Sequence, residues 1–257
     1  MKIKVLLILT NLLITVSSFA IDNSARPFFD YSKLTQLGLL NWPYPVYGDI
    51  DSMVMHSSDG SEINVNTILK FNEKGDIDVA SFFLEDSFLS DVKVDHKYDE
   101  KGFPYESLVT TTNDNSSSSK KMTYVYNDNG KITNLTDYSS NGEISKKTDY
   151  IYDEKGRLIE ESVFYLWNQK MTYNYDDKGN LTEITYYQNP DSKEFKMKMV
   201  YKYDKKGRLT EMSTINSEGE TYLDIKLKCD KRGNVIEESV YRKGKFTEIT
   251  KCKITYR

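Results

Sequence analysis

Five glutamates recur at one repeated position, and they are the residues whose spacing could support chemistry. Each lies four residues after a glycine, at Glu106, Glu160, Glu183, Glu211 and Glu237. Such a row could bind a cation or a sugar, but we favour buried hydrogen-bonded pairs between each acid and a tyrosine hydroxyl. Equivalent positions would be two strands apart, about 9.5 Å, which is too far for a shared metal ion or for a retaining carboxylate pair.

The other chemically capable residues suggest no site. His96 occupies a position where other repeats carry tyrosine or leucine, and His56 has no evident partner near SSDGSE. No Ser/His/Asp set and no histidine pair with metal-ligand spacing is recognisable. The acid-rich turns lack the alternating oxygen ligands of a calcium loop. We therefore expect no catalytic, cofactor or metal site and predict that the protein is not an enzyme.

Seven short segments share one pattern, an aromatic residue or cysteine followed by Asp or Asn, two polar residues and Gly. They begin at Phe71, Tyr98, Tyr126, Tyr152, Tyr175, Tyr203 and Cys229. Their glycines are spaced by 27, 28, 26, 23, 28 and 26 residues. So even a period is the signature of a repeat architecture.

Each segment has the chemistry of a hairpin turn. Asp or Asn accepts local backbone hydrogen bonds, and Gly supplies a positive φ, so the pattern predicts a type I turn closed by a glycine bulge. In that geometry Asp153 pairs with Arg157, and Tyr152 faces Leu158. Alternation around the turns predicts a buried Tyr/Met/Leu face, as in Met171-x-Tyr173. A second, looser turn separates successive segments, such as the two-residue turn at 243–244 or the longer loop expected at DNSSSS.

These turns predict an all-β fold, a single curled antiparallel meander of roughly 14–16 strands with a short N-terminal cap. A closed barrel with this many strands would be too wide for side chains to fill, so we favour an open curl or a flattened barrel. An open sheet leaves edge strands that must be covered or paired.

The phrases YDEKGRLIE and YDDKGNLTE resemble the YD repeat of the rearrangement-hotspot (RHS) family. The resemblance covers about residues 60–257 and implies a spiralling β-meander in a secreted or surface setting. Large members of that family form shells around a toxic C-terminal segment. This chain is too short to enclose a cargo domain, and its repeats run almost to Arg257. The resemblance therefore implies a small repeat sheet without the toxin-shell role.

The N-terminal fifty residues differ from the repeats. Residues 1–20 combine Lys2 and Lys4 with an apolar run and small residues at 18 and 20, which is typical of a cleaved secretory signal peptide. Residues 21–50 are expected to cap the repeat domain, assigned to 51–257, because repeat arrays need an atypical terminal unit. Trp42, Tyr44 and Tyr47 in this cap could instead bind a sugar or a peptide.

Two cysteines, Cys229 and Cys252, follow in the exported chain. Counting through the last hairpin places them on either side of one strand, about 9.5 Å apart, too far for a disulfide. We therefore predict two reduced, buried thiols.

Charge and compartment together bound the function. The net charge is −4 at pH 7, and acids and bases are interleaved without a basic cluster, which argues against nucleic-acid binding. We predict a secreted or periplasmic, non-catalytic binding or scaffold module for protein partners, without a membrane span after signal cleavage. A carbohydrate-binding module that recognises cell-surface glycan is the alternative, and a hydrolase with an unrecognised carboxylate site is a remote one.

Overall fold

The structure is a computed structural model that describes residues 49–256, apart from residues 59–63, 74–75, 85–86 and 166–167. The described residues form sixteen strands that follow one another along the chain. They are β1 (Ile50–Ser58), β2 (Asn64–Phe71), β3 (Ile77–Leu84), β4 (Ser87–Tyr98), β5 (Pro104–Asn113), β6 (Ser116–Tyr126), β7 (Ile132–Tyr138), β8 (Ile144–Tyr152), β9 (Leu158–Phe164), β10 (Gln169–Tyr175), β11 (Leu181–Tyr187), β12 (Met197–Tyr203), β13 (Leu209–Asn216), β14 (Thr221–Cys229), β15 (Val235–Arg242) and β16 (Lys245–Tyr256). No helix long and apolar enough to cross a membrane occurs within this part of the chain.

The sixteen strands close into one antiparallel barrel. Each strand pairs with its neighbours in the sequence, and β16 pairs with β1 from Ile50–Tyr256 to Ser58–Ile249. The antiparallel meander and its strand number are confirmed, but the expectation of an open curl is wrong. Closure satisfies the backbone groups that two free edge strands would expose. The pairing of β16 with β1 supplies eight register positions that an open sheet would lack.

The inward face of the barrel is the predicted Tyr/Met/Leu face. Met122, Leu135, Leu158 and Met171 are each 0% exposed. A round barrel of sixteen strands would leave an open channel, in which inward side chains would contact water. Side chains without exposed area therefore show that the interior is filled at these positions.

The hairpin turns have the predicted geometry. The backbone N–H of Asp153 donates to the carbonyl oxygen of Arg157 at 2.9 Å, and the N–H of Gly156 donates back to Asp153 at 2.9 Å. The carboxylate of Asp153 accepts from the backbone N–H groups of Lys155 and Arg157. Gly156 has φ 76°, the left-handed conformation that a bulge of this type requires.

Four of the repeat tyrosines share one structural role. The hydroxyl of Tyr175 donates to the carbonyl oxygen of Leu158 at 2.8 Å, next to the bulge of the preceding hairpin. Tyr126, Tyr152 and Tyr203 make the same bond to Pro104, Ile132 and Leu181. A bulge interrupts the ladder of backbone hydrogen bonds, so a nearby carbonyl needs another donor. The tyrosine supplies it and ties successive repeats together.

Two of the looser turns are tighter than a generic loop. Lys243 and Gly244 both have positive φ, 48° and 75°, which makes the predicted two-residue connection a type I′ turn. The expectation of a longer loop at DNSSSS is wrong, because Asn113 pairs directly with Ser116. The side-chain oxygen of Asn113 accepts from the backbone N–H groups of Asn115 and Ser116 and so satisfies these donors within the short turn.

Candidate functional site

The aromatic residues proposed as a ligand site, Trp42, Tyr44 and Tyr47, lie outside the described residues, as do the signal peptide and most of the cap segment. Their assignments stay predictions. The remaining candidates all fall on the barrel, where each can be placed on its inner or its outer face.

The glutamate row faces outward, so the expected Glu–Tyr pairs are wrong. Glu211 lies opposite Lys202 rather than Tyr201, and its carboxylate accepts from the lysine ammonium at 2.8 Å. The lysine also lowers the pKa of Glu211. Equivalent ion pairs join Lys97 to Glu106 at 2.6 Å and Lys228 to Glu237 at 2.5 Å. Glu160 and Glu183 lie opposite Ile151 and Asn174.

The glycine bulge explains this error. The register shifts between Lys202 and Tyr203, since the bulge adds one residue to the strand that follows the turn. A shift of one residue moves every later side chain to the other face of the sheet. The residue that faces the buried tyrosine is therefore the fifth after glycine, which is Met212 opposite Tyr201.

The corrected register brings His96 next to Ser107. The Nδ1 atom of His96 lies 2.7 Å from the Ser107 hydroxyl, and Nε2 lies 3.2 Å from the carbonyl oxygen of Ile77. Ser107 also bonds Tyr124, whose pKa rises to about 12, chiefly because it is buried. Counting five residues from Gly102 would have found this pair.

This serine–histidine pair belongs to a structural network. Ser107 is 0% exposed, so no substrate can reach its hydroxyl without opening the barrel. Beside it, Tyr98 donates to the carboxylate of Asp76 at 2.9 Å, and Asp76 is itself buried. Buried polar groups that satisfy one another fix a packing arrangement. The geometry thus gives His96 a structural role in packing the interior.

Further charged groups point into the barrel. Glu161 is 3% exposed and accepts from the Tyr173 hydroxyl at 2.9 Å. Between β7 and β8, Lys146 pairs with the buried Asp137 at 3.3 Å. Burial lowers the pKa of Lys120, which the charge of Asp137 partly opposes.

The turn carboxylates serve the turns themselves. Asp204 accepts from the backbone N–H groups of Lys206 and Arg208 and from the Arg208 guanidinium at 2.7 Å. These hydrogen bonds, with the Arg208 N–H first, lower the pKa of Asp204. Within the described ranges, no group of three or more His, Cys, Asp or Glu side chains could hold a metal ion.

Cys229 and Cys252 are free thiols that point inward from β14 and β16, with β15 between them. Cys252 is buried, and burial raises the pKa of its thiol to about 12. Cys229 is partly buried and takes the place of the repeat tyrosine, with its sulfur 3.5 Å from the carbonyl oxygen of Leu209. Thiols in such positions are poor nucleophiles.

An apolar strip interrupts the charged outer face. The residue just before the repeat aromatic, or before Cys229 in β14, faces outward, and it is lysine in β2, β4, β12 and β14. In β6 and β8 it is Val125, 55% exposed, and Ile151, 51% exposed. The bulge residues Tyr105 and Ile159 lie beside them on β5 and β9, and both are exposed. These four side chains form the apolar strip, in which β7, with Asn134 opposite Val125, lies between the members on β6 and those on β8.

The opposite side of the barrel carries a basic wall. It is defined by five outward lysines of β12, β14 and β16, namely Lys202, Lys226, Lys228, Lys251 and Lys253. Glu211 lies between Lys202 and Lys226, and Glu237 between Lys228 and Lys251, so lysines outnumber the acids between them. The wall continues into a groove of about 720 Å³ between two hairpin tips, where Lys178, Lys205 and Lys206 are partly offset by Asp176 and Asp204.

Comparison with known proteins identifies the fold alone. No protein-family model and no curated protein matches the chain. Among solved structures, a porin-like protein from Bacteroides uniformis aligns with TM-score 0.55 and 12% identity, over 80% of this chain and 98% of that one. A porin-like protein from Bacteroides vulgatus gives TM-score 0.38 and 16% identity, over 81% and 99%. The toxin complex TcdB2-TccC3-Cdc42 gives TM-score 0.31 and 12% identity, over 70% and 13%. The first of these shows that the chain shares a porin-like barrel fold.

Proposed function

We propose that this chain is an exported, non-catalytic binding or scaffold module that recognises protein partners at the cell envelope or outside the cell. The observation that carries the proposal is the apolar strip. Exposed apolar side chains that cluster on neighbouring strands of an otherwise charged surface mark sites of protein contact. Val125 and Ile151 are the most exposed members of the strip, and both replace a lysine of the repeat.

The distribution of side chains supports an outer wall that faces water. A barrel that spans an outer membrane presents an apolar band to lipid and a polar interior. This barrel has the reverse order, since Met122 and Leu135 are buried inside and Lys202 and Glu211 pair outside. The likeness to porin-like proteins therefore supports a common strand arrangement, and we propose that the mature chain does not span the membrane.

The inner polar groups support the non-catalytic part of the proposal. Ser107 and Glu161 are buried, and each bonds a neighbouring side chain. The signal-like N-terminus and the YD-repeat resemblance support export. A glycan site receives less support, because the exposed aromatic residues of the described barrel are dispersed over its strands and one loop instead of forming one strip. They are Phe88, Tyr105, Phe164, Tyr165 and Phe246.

The proposal is tested by capture from native envelope extract on immobilised mature protein, residues 21–257. We expect the wild type to retain a specific protein, Val125→Lys/Ile151→Lys to lose it, and Asn174→Lys to keep it. Asn174 is the matched control because it occupies the same outward position in β10, outside the strip. Equal capture by all three proteins, or selective binding on a glycan array with no captured protein, would contradict the proposal.

A further inference from the structure

The two outer surfaces are different and lie on opposite sides of one closed barrel. In the circular strand order β14 is eight strands from β6, which is half of the circumference. The apolar strip on β5–β9 and the basic wall on β12–β16 therefore cannot touch within one molecule. They are free to meet only between molecules.

Charge is distributed unequally between the same two regions. Residues 197–256, which form β12–β16, carry 14 Lys and Arg against 9 Asp and Glu. Residues 49–196 carry 16 against 28. The mild net charge of the whole chain hides this division, which makes one part of the barrel basic and the larger part acidic.

The chemistry of the wall fits the chemistry of the strip. Lys226, Lys251 and Lys253 are exposed, and within the described ranges none of them has a carboxylate within 4.0 Å. A lysine can lay its aliphatic stem on an apolar surface while its ammonium reaches a charge at the border. Glu160 lies opposite Ile151 at the border of the strip, and its carboxylate accepts a hydrogen bond from the Ser162 hydroxyl at 3.4 Å. Among the described residues it forms no ion pair with a cation.

We propose that the apolar strip of one molecule takes the basic wall of a second copy of this chain. The inference rests on the proposed function only in using the same outer surface, and it names the partner. A polyanion would explain the wall but leave the strip uncovered, whereas a second copy accounts for both surfaces. Because the two surfaces differ, the contact is head-to-tail and each molecule keeps one free strip and one free wall, as in a ring or a filament.

The test uses sedimentation velocity of the mature chain over a range of concentrations. The strip variant is Val125→Lys/Ile151→Lys, and the wall variant is Lys226→Glu/Lys251→Glu. We expect wild type to associate, and to do so more weakly at high salt, since exposed charges are screened. Each variant alone should associate about tenfold or more weakly than wild type, the loss expected when central interface residues are changed. Circular dichroism and urea unfolding verify that both variants fold.

Mixing the two variants gives the deciding result. The intact strip of the wall variant and the intact wall of the strip variant should restore association, and assembly should stop at a pair. A monomeric wild type, or a mixture that does not associate, would overturn the inference. Heparin serves as a polyanion probe, and a monomeric wild type whose heparin binding is lost in the wall variant would overturn it in favour of a polyanion. If the chain does not self-associate but still captures an envelope protein, and the strip variant loses that capture, the proposed function stands and only this inference fails.

Discussion

The walls formed by β5–β9 and by β12–β16 are built from the same repeat but present different surfaces. In both, the turn aspartate or asparagine and the glycine bulge do the same work, and an inward aromatic residue, replaced by Cys229 in β14, precedes the turn. The outward residue before that aromatic is lysine in β12 and β14, and valine or isoleucine in β6 and β8. The comparison shows that folding constrains the inward and turn positions, whereas the outward positions are available for function.

Energetics explains this freedom. Lys202 and Glu211 are 63% and 43% exposed, and ion pairs at such exposure contribute little to stability. Exchanging the lysine for an aliphatic residue therefore changes what the surface can bind more than it changes the fold. The inner positions have no such latitude, because a filled interior responds to the loss of single methylene groups.

The largest expected effect on stability distinguishes an inward leucine from an outward leucine in the same part of the sheet. Leu135→Ala removes a fully buried side chain of β7 and should lower the free energy of unfolding by about 2–5 kcal/mol. Leu108→Ala on the outer face of β5, where the leucine is 44% exposed, should change it by less than about 0.5 kcal/mol. Urea unfolding measures both, and equal losses would mean that the inward and outward assignments are wrong.

A smaller effect is expected from the tyrosine ladder. Tyr175→Phe keeps the ring but leaves the Leu158 carbonyl without its donor, which should cost about 1–3 kcal/mol. Tyr105→Phe is the control, because it removes a hydroxyl from an exposed ring of the strip. The same urea unfolding measures the two proteins, and a loss in the control as large as in Tyr175→Phe would contradict the ladder.

Introducing a lysine into the apolar strip should change the free energy of unfolding by still less, and should raise it. Ile151→Lys places a lysine opposite Glu160, as Lys202 lies opposite Glu211. A cross-strand pair of opposite charge should stabilise the barrel by about 0.2–1 kcal/mol. Unfolding in low and high salt tests this, since the gain should shrink as salt screens the pair. A clear loss of stability in both salts would mean that the isoleucine has a folding role.

The smallest effect concerns acid stability at the turns. The lowered pKa of Asp204 stabilises the fold above the ordinary value of 3.8, and this contribution is lost as pH falls through the lowered pKa. Asp204→Asn keeps the turn acceptor, as Asn127 does in the third repeat, but cannot titrate. Urea midpoints at pH 7 and pH 2.5 should therefore differ less in the variant than in wild type. An identical difference would show that Asp204 contributes no acid dependence.

Much of the fold follows from local sequence chemistry. The turn of Asp153 and Gly156 and the pairing of Tyr152 with Leu158 were predictable, because turn type and hairpin register depend on neighbouring residues. The glutamate row was wrong because one bulge residue per hairpin reverses the faces. The bulge itself had been predicted, so the pairing of Glu211 with Lys202 was available from the sequence had the extra residue been counted.

Closure and the two walls could not be predicted as readily. Whether β16 meets β1 depends on the accumulated twist and tilt of sixteen strands, and no local pattern near Met55 or Cys252 signals it. Val125 and Lys228 lie on opposite sides of the barrel only because the sheet is closed. The interleaved charges also conceal the basic segment, which becomes a surface because consecutive strands are neighbours in space.

The most direct test of the account is therefore a cross-link between β1 and β16. Val54 and Lys253 are outward register partners across this closure, so Val54→Cys/Lys253→Cys should form a disulfide within one molecule under mild oxidation. Peptide mapping of the monomer identifies it, with Val54→Cys/Lys228→Cys as a control pair three strands apart. Efficient formation in the first pair alone is the predicted result. A disulfide that forms only between molecules, or in neither protein, would contradict a closed barrel and the opposition of its two walls.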